Sequence, residues 1–107
     1  MEKLRQLLLD TLHLILLPNK LDESLYLAEI EEKLNELEGD YYTFLNNVNL
    51  RKLSDSNLID SDIVVLIDEI RQQISNVKPS LWNPTDFIKS HEWFEIREKV
   101  KDVLARI

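Results

Sequence analysis

The sequence predicts an all-α protein, a compact helical bundle of four main helices with one or two short helices. Apolar residues recur at helical spacing along most of the 107-residue chain. Only one glycine and three prolines are present, so few positions interrupt these periodic segments. Apolar residues make up 44% of the chain and charged residues 31%, as in ordinary globular proteins. This length fits a single helical domain, which we assign to residues 1–107.

The first helix is predicted over residues 2–17, ending before Pro18. Its polar side is formed by Glu2, Gln6, Asp10 and His13. The apolar run LHLILLP (residues 12–18) falls well short of the roughly 20 residues that a membrane span needs. No small-residue cleavage site follows this run. We therefore expect a buried core helix, and neither a signal peptide nor a membrane segment.

The second helix is predicted from Asp22 to Gly39, because a left-handed C-terminal cap favours the only glycine. One face is expected to pack inward through Tyr26, Leu27, Ile30, Leu34 and Leu37. A short third helix is predicted to hold Tyr41, Tyr42, Phe44, Leu45 and Val48. The Asn- and Ser-rich segment 46–57 is predicted to be an irregular connection.

A fourth helix is predicted over residues 61–77, with Ser61 as its N-cap. Its apolar positions are Ile63, Leu66, Ile67, Ile70, Ile74 and Val77. A turn then leads to a brief helix, with Asn83 as the cap and Pro84 in the first helical position. The last helix is predicted from about Ser90 to the end, with inward positions Trp93, Ile96, Val100, Val103, Leu104 and Ile107. Phe94 lies outside this apolar arc, and either covers the brief helix or anchors a partner.

No motif in the sequence specifies a chemistry. The chain has no cysteine, which excludes disulfides and thiolate nucleophiles and favours a cytoplasmic location. Neither His13 nor His91 has a partner at a metal-ligand spacing, so we interpret both as surface or helix-end residues. There is no phosphate-binding glycine loop and no nucleophile elbow. We therefore predict that the protein is not an enzyme and needs no cofactor or metal.

The net negative charge arises from one stretch. Residues 21–40 carry eight of the twenty acidic residues and one base, Lys33, so this stretch alone has a net charge of −7. The whole chain also has a net charge of −7. A net negative charge disfavours direct binding to nucleic acid or to an anionic membrane, because both need clustered lysine and arginine.

The carboxylates of the second helix are expected to form an exposed surface. On a helical wheel Asp22, Glu29, Glu32 and Glu36 lie within about 80° of one another, with Leu25 among them. We call Asp22, Leu25, Glu29, Glu32 and Glu36 the acidic face. The predicted binding surface consists of the acidic face and three adjoining residues, Asp40, Tyr41 and Tyr42. Tyrosine beside carboxylates suits a basic protein partner, because the rings anchor the partner while the charges attract it.

The stretch DESLYLAEIEEKLNELEGDYY, residues 22–42, gives the chain a general resemblance to a family of bacterial proteins. In size, charge and helical content the chain resembles the small, acidic, cysteine-free immunity proteins that neutralise colicin-type and contact-dependent growth-inhibition toxins. The resemblance implies a toxin nuclease domain as the partner, with its basic nucleic-acid-binding cleft blocked by carboxylates and aromatic rings.

Three other interpretations of the charge remain open at this point. In the first, the acidic helix is only a solvated face, as acidic helices often are. In the second, the protein is a structural or regulatory subunit that forms homodimers through the apolar surface of residues 4–17. In the third, the protein is a phage-type DNA mimic, although a charge of −7 on one helix is low for imitating a duplex.

Overall fold

The computed structural model describes residues 2–18 and 22–107, and all regular secondary structure within them is helical. The six α-helices are α1 (Glu2–His13), α2 (Glu23–Phe44), α3 (Asn47–Asp55), α4 (Ser61–Ser75), α5 (Pro84–Lys89) and α6 (His91–Arg106). A single 3-10 turn, Pro79–Leu81, precedes α5. The prediction of an all-α bundle with four main helices is confirmed, because α1, α2, α4 and α6 are the four long helices.

Two helix pairs organise the bundle. α4 packs along α6, and α1 packs along α2, while α5 contacts both α2 and α6. The buried apolar side chains form one cluster to which every α-helix contributes. Trp93 and Phe87 are its largest fully buried side chains, with ring centroids 4.9 Å apart in an edge-to-face arrangement. The Trp93 indole nitrogen donates to the carbonyl of Leu81, which fixes the 3-10 turn against α6.

The first helix is shorter than predicted, ending at His13 instead of residue 17. The following residues form a turn in which the amides of Ile15 and Leu16 donate to carbonyls three residues earlier. Most apolar residues of the predicted helix nonetheless pack inside the protein. Leu8, Leu12 and Ile15 are buried, and Leu4, Leu9, Leu14 and Leu16 pack on the core. The surface that we considered for homodimer formation is therefore largely occupied within the chain.

The second helix begins as predicted but does not end at Gly39. Asp22 is its N-cap, accepting a hydrogen bond from the backbone amide of Leu25 at 3.2 Å. Gly39 is helical, without a positive φ, and the helix continues to Phe44. The predicted end was wrong because Tyr41 and Leu45 repeat the inward spacing of Leu37, so burial favours continuing the helix through the glycine.

The predicted positions of the third helix and of the irregular connection were also wrong. Tyr41, Tyr42 and Phe44 belong to α2, and a separate helix, α3, occupies most of the segment 46–57. Asn46 caps α3 by accepting from the Asn49 amide at 3.0 Å. At its other end Asn57 has φ 58°, and the amides of Asn57 and Leu58 bond back to Ser54 and Leu53. A left-handed residue therefore ends α3 at Asn57, whereas the left-handed cap predicted for the second helix at Gly39 is not formed.

The C-terminal half follows the sequence prediction more closely. Asn83 caps α5 and Pro84 is its first residue, as predicted, while Ser90 caps α6. Two details of α4 differ, since the N-cap is Asp60 instead of Ser61 and the helix ends at Ser75. Ile107 was expected to be buried, but it follows the last helical turn and is exposed.

Candidate binding surface on the second helix

The acidic face forms because α2 is a continuous 22-residue helix with one buried side. Ile30, Leu34 and Leu37 are buried against the core. The carboxylates of Glu32 and Glu36 lie on the opposite side and are exposed. Helical periodicity therefore separates the apolar and acidic residues of one stretch onto two sides of the same helix.

The N-terminal end of the acidic face is held by the helix cap. Asp22 accepts hydrogen bonds from the Ser24 hydroxyl at 2.8 Å and from the Leu25 amide. These bonds lower the pKa of Asp22, the Ser24 hydroxyl contributing most. Leu25 is 58% exposed, so an apolar side chain stands within the acidic face, as the sequence predicted.

The structure places six of the eight predicted binding residues along one side of α2 and the two tyrosines elsewhere. Asp22, Leu25, Glu32 and Glu36 are exposed along one side of α2, and Glu29 is half-buried beside them. Asp40 continues this side toward α1 and is also half-buried. Five residues of the acidic face therefore form one surface, with Asp40 at its edge.

The two tyrosines do not join the acidic face. Because α2 continues past Gly39, Tyr41 falls on the buried side, where its ring centroid is 6.2 Å from that of Trp82. Tyr42 is 64% exposed, but it lies about 120° around the helix from the centre of the acidic face. Grouping both tyrosines with the carboxylates depended on a helix break at Gly39 that is not there.

The acidic face differs from the other charged surfaces in how its carboxylates are paired. Within the described residues, carboxylates of α4 and α6 pair with nearby bases: Asp68–Arg71, Glu69–Lys99, Glu95–His91, Glu98–Lys101 and Asp102–Arg106. None of the α2 carboxylates of Glu29, Glu31, Glu32, Glu36, Glu38 and Asp40 takes part in an ion pair within this part of the chain. Five of the seven carboxylates of α4 and α6 thus have a basic side chain within ion-pair distance, whereas these six carboxylates of α2 have none among the described residues.

The only base in the acidic stretch makes its hydrogen bond to another segment of the chain. The Lys33 ammonium donates to the backbone carbonyl of Leu16 at 2.9 Å and so secures the turn after α1. Burial lowers the pKa of Lys33, while the neighbouring charge of Glu29 partly opposes that shift. Lys33 therefore serves to hold α1 against α2, and its charge is not available to Glu32 and Glu36 as an ion pair.

A cleft between α1 and α2 adds a residue that the sequence prediction missed. Asp10 of α1 lies across the cleft from Glu36 and Asp40, and the cleft has a volume of about 220 Å³. The helical wheel compares residues within one helix, so it gave no signal that Asp10 belongs with the carboxylates of α2. Only the packing of α1 on α2 brings these three carboxylates to one place.

The remaining candidates from the sequence lie on the surface. His13 and His91 are both exposed at helix ends, and His91 contacts Glu95 at 2.7 Å. Phe94 is 52% exposed, so about half of its surface is left uncovered by the described chain. Across the described residues, no three histidine or acidic side chains are grouped closely enough to hold a metal ion. None of the helices described here combines the length and apolarity required to cross a bilayer.

The fold and the site define an all-α helical bundle that carries a segregated acidic face on its longest helix. A comparison of the chain with protein-family models, with curated proteins and with solved structures found no significant match.

Proposed function

We propose that this is a cytoplasmic, non-enzymatic binding protein that captures a basic protein partner through the acidic face of α2. We propose further that the partner is the nuclease domain of a bacterial toxin. The protein would then act as an immunity protein that covers the toxin's nucleic-acid-binding cleft. The absence of cysteine suits a reducing compartment.

One observation carries the proposal: among the described residues, the α2 carboxylates from Glu29 to Asp40 have no ion-pair partner, whereas five of the seven carboxylates of α4 and α6 have one. Like charges at helical spacing repel one another and cost a few tenths of a kcal/mol per pair. A basic partner would relieve this repulsion on binding, and the long-range field of the face would accelerate encounter. Leu25 supplies an apolar contact within the same face.

The test compares two charge reversals on the same helix. Glu32→Lys/Glu36→Lys alters the acidic face, and Glu31→Lys/Glu38→Lys makes the same change in charge on the exposed opposite flank. Glu29 is left intact, because it is half-buried and its charge acts on Lys33. Circular dichroism should show both variants as helical as the wild type, with nearly unchanged melting temperatures.

The binding assay is a pull-down from the native host at low and high salt. We expect the wild type to retain one basic protein at low salt and to release it at high salt, since screening weakens exposed charge pairs. The Glu32/Glu36 variant should lose that protein, and the Glu31/Glu38 variant should keep it. Equal capture by both variants would overturn the proposal. If the bait captures only further copies of this chain, homo-oligomerisation is favoured instead.

The toxin assignment has its own readout. Nuclease activity of the captured protein should be blocked by the wild type and restored by the Glu32/Glu36 variant. If the captured protein has no nuclease activity, binding of a basic partner by the acidic face is supported but the immunity role is contradicted.

A further inference from the structure

The cleft between α1 and α2 has the composition of a receptor for one long cationic side chain. Part of its lining is apolar, formed by Leu7, Leu14 and Phe44, and all three are half-buried. The carboxylates of Asp10, Glu36 and Asp40 also line it. A groove with an apolar lining and carboxylates suits a side chain with an aliphatic stem and a charged end.

The polar groups of the cleft are arranged to accept hydrogen bonds. The Thr11 hydroxyl is buried and donates to the carbonyl of Leu7, so α1 itself satisfies that donor. Asp10 accepts one hydrogen bond from Gln6 at 2.8 Å through Oδ1, which leaves Oδ2 for a ligand. Within the described chain, no base forms an ion pair with Asp10, Glu36 or Asp40. The complementary ligand is therefore a donor with positive charge.

The size of the cleft limits what it accepts. A volume of about 220 Å³ lies below the roughly 300–1,000 Å³ of typical small-molecule sites, and it suits a single side chain. A metal ion is a poor fit, because the three carboxylates are not close enough together to ligate one ion.

We infer that this cleft receives one arginine side chain of the basic partner. Arginine fits better than lysine for two reasons. Its planar guanidinium has five donors and is able to bond carboxylates of α1 and α2 at once, and it also packs favourably against an aromatic ring such as Phe44. The inference rests on the proposed function, because Glu36 belongs both to the cleft and to the acidic face.

The first experiment uses a small probe and needs no partner. Acetyl-arginine amide is titrated into the ¹⁵N-labelled protein, with amide chemical shifts as the readout and with acetyl-citrulline amide as its neutral isostere. We expect saturable shifts confined to the residues that line the cleft, and none with citrulline. Shifts spread over all acidic surfaces, or an equal response to acetyl-lysine amide, would overturn the assignment to arginine.

Isosteric variants give the matched control. Asp10→Asn/Asp40→Asn removes two charges from the cleft, and the amide oxygen introduced in place of the Asp10 carboxylate is still able to accept from Gln6. Asp55→Asn/Asp62→Asn removes two charges from exposed sites elsewhere. The cleft variant should bind acetyl-arginine amide about tenfold more weakly, as loss of a charge-assisted hydrogen bond predicts. The control variant should bind it like the wild type, and an equal loss in both would contradict the inference.

The two proposals fail in distinguishable ways. If Asp10→Asn/Asp40→Asn captures the partner like the wild type while Glu32→Lys/Glu36→Lys does not, the acidic face is supported and the arginine cleft is wrong. If acetyl-arginine amide binds in the cleft but no basic protein is captured, the cleft is supported and the proposed function is wrong.

Discussion

The Nε atom of Arg97 donates a hydrogen bond to the backbone carbonyl of Ile15 at 3.1 Å, joining α6 to the turn after α1. The same guanidinium donates through Nη2 to the carbonyl of Phe87 at 2.7 Å and lies 4.7 Å from the centre of the Phe87 ring. Arg97 is only 4% exposed, and no carboxylate of the described chain pairs with it. Its role is therefore to satisfy two carbonyls at a junction of three segments.

Arg97→Lys should destabilise the protein although the charge is kept. One ammonium cannot reproduce the two divergent hydrogen bonds or the planar contact with Phe87, so at least one buried carbonyl loses its donor. We expect a loss of about 2 kcal/mol or more in the free energy of unfolding, measured with urea. The control is Arg106→Lys, at an exposed ion pair with Asp102, where the change should stay within about 0.5 kcal/mol. Similar losses in both variants would contradict the assigned role.

Three neighbouring positions of α4 should differ sharply in their response to alanine. Ile70 is fully buried, Leu66 is half-buried and Val65 is exposed. Ile70→Ala should cost about 2–5 kcal/mol through lost burial and the cavity it leaves. Leu66→Ala should cost less, and Val65→Ala should change stability by no more than about 0.5 kcal/mol. Urea unfolding measures all three, and a cost well under about 1 kcal/mol at Ile70 would mean that the inward face of α4 is misplaced.

Gly39→Ala should stabilise the protein. Gly39 is helical with no positive φ, and a Cβ added there meets no atom within 4 Å. Alanine then restricts the unfolded chain and favours the helix, a gain of about 0.5–1 kcal/mol. The measurement is the thermal midpoint together with the free energy of unfolding. Destabilisation would instead indicate that α2 ends in a left-handed glycine cap.

The cap of α2 should make stability depend on acid pH. The Ser24 hydroxyl and the Leu25 amide lower the pKa of Asp22 in the folded state below its ordinary value of 3.8. The folded state therefore binds the proton less tightly than the unfolded state does. The resulting stabilisation is fully present above the ordinary pKa and is lost as pH falls through the lowered folded-state value.

Asp22→Asn should remove this component, because the amide oxygen still accepts hydrogen bonds but does not titrate. Unfolding free energies measured from neutral pH down through the carboxylate range should fall less steeply than for the wild type. Asp60→Asn is the matched control, since Asp60 also occupies an N-cap but its side chain makes no cap hydrogen bond. If Asp22→Asn changes the acid dependence no more than Asp60→Asn does, the cap bonds are not its source.

Much of the architecture was predictable because it depends on near neighbours in the sequence. Apolar spacing located the inward residues of α4 and α6, and the Asn83–Pro84 pair predicted the start of α5. Capping depends on hydrogen bonds within about three residues, which explains why Asp22 was also identified. The same local rules predicted that Leu25, Glu32 and Glu36 lie on the exposed side of α2.

The errors arose where local signals permit two outcomes. A glycine both ends helices and is tolerated inside them, so Gly39 did not determine where α2 stops. The polar segment 46–57 has weak intrinsic helix signals, and burial of Leu50 and Leu53 against the core selects the helical state.

The sequence alone determined that this protein is all-α and that its excess negative charge lies along one helix, because both properties follow from composition and helical periodicity. The tertiary structure alone decided that Tyr41 packs against Trp82 and that Arg97 reaches Ile15. It also placed Asp10 beside Glu36 and Asp40. These contacts join residues distant in sequence, and they form only when burial of apolar surface sets the relative positions of whole helices.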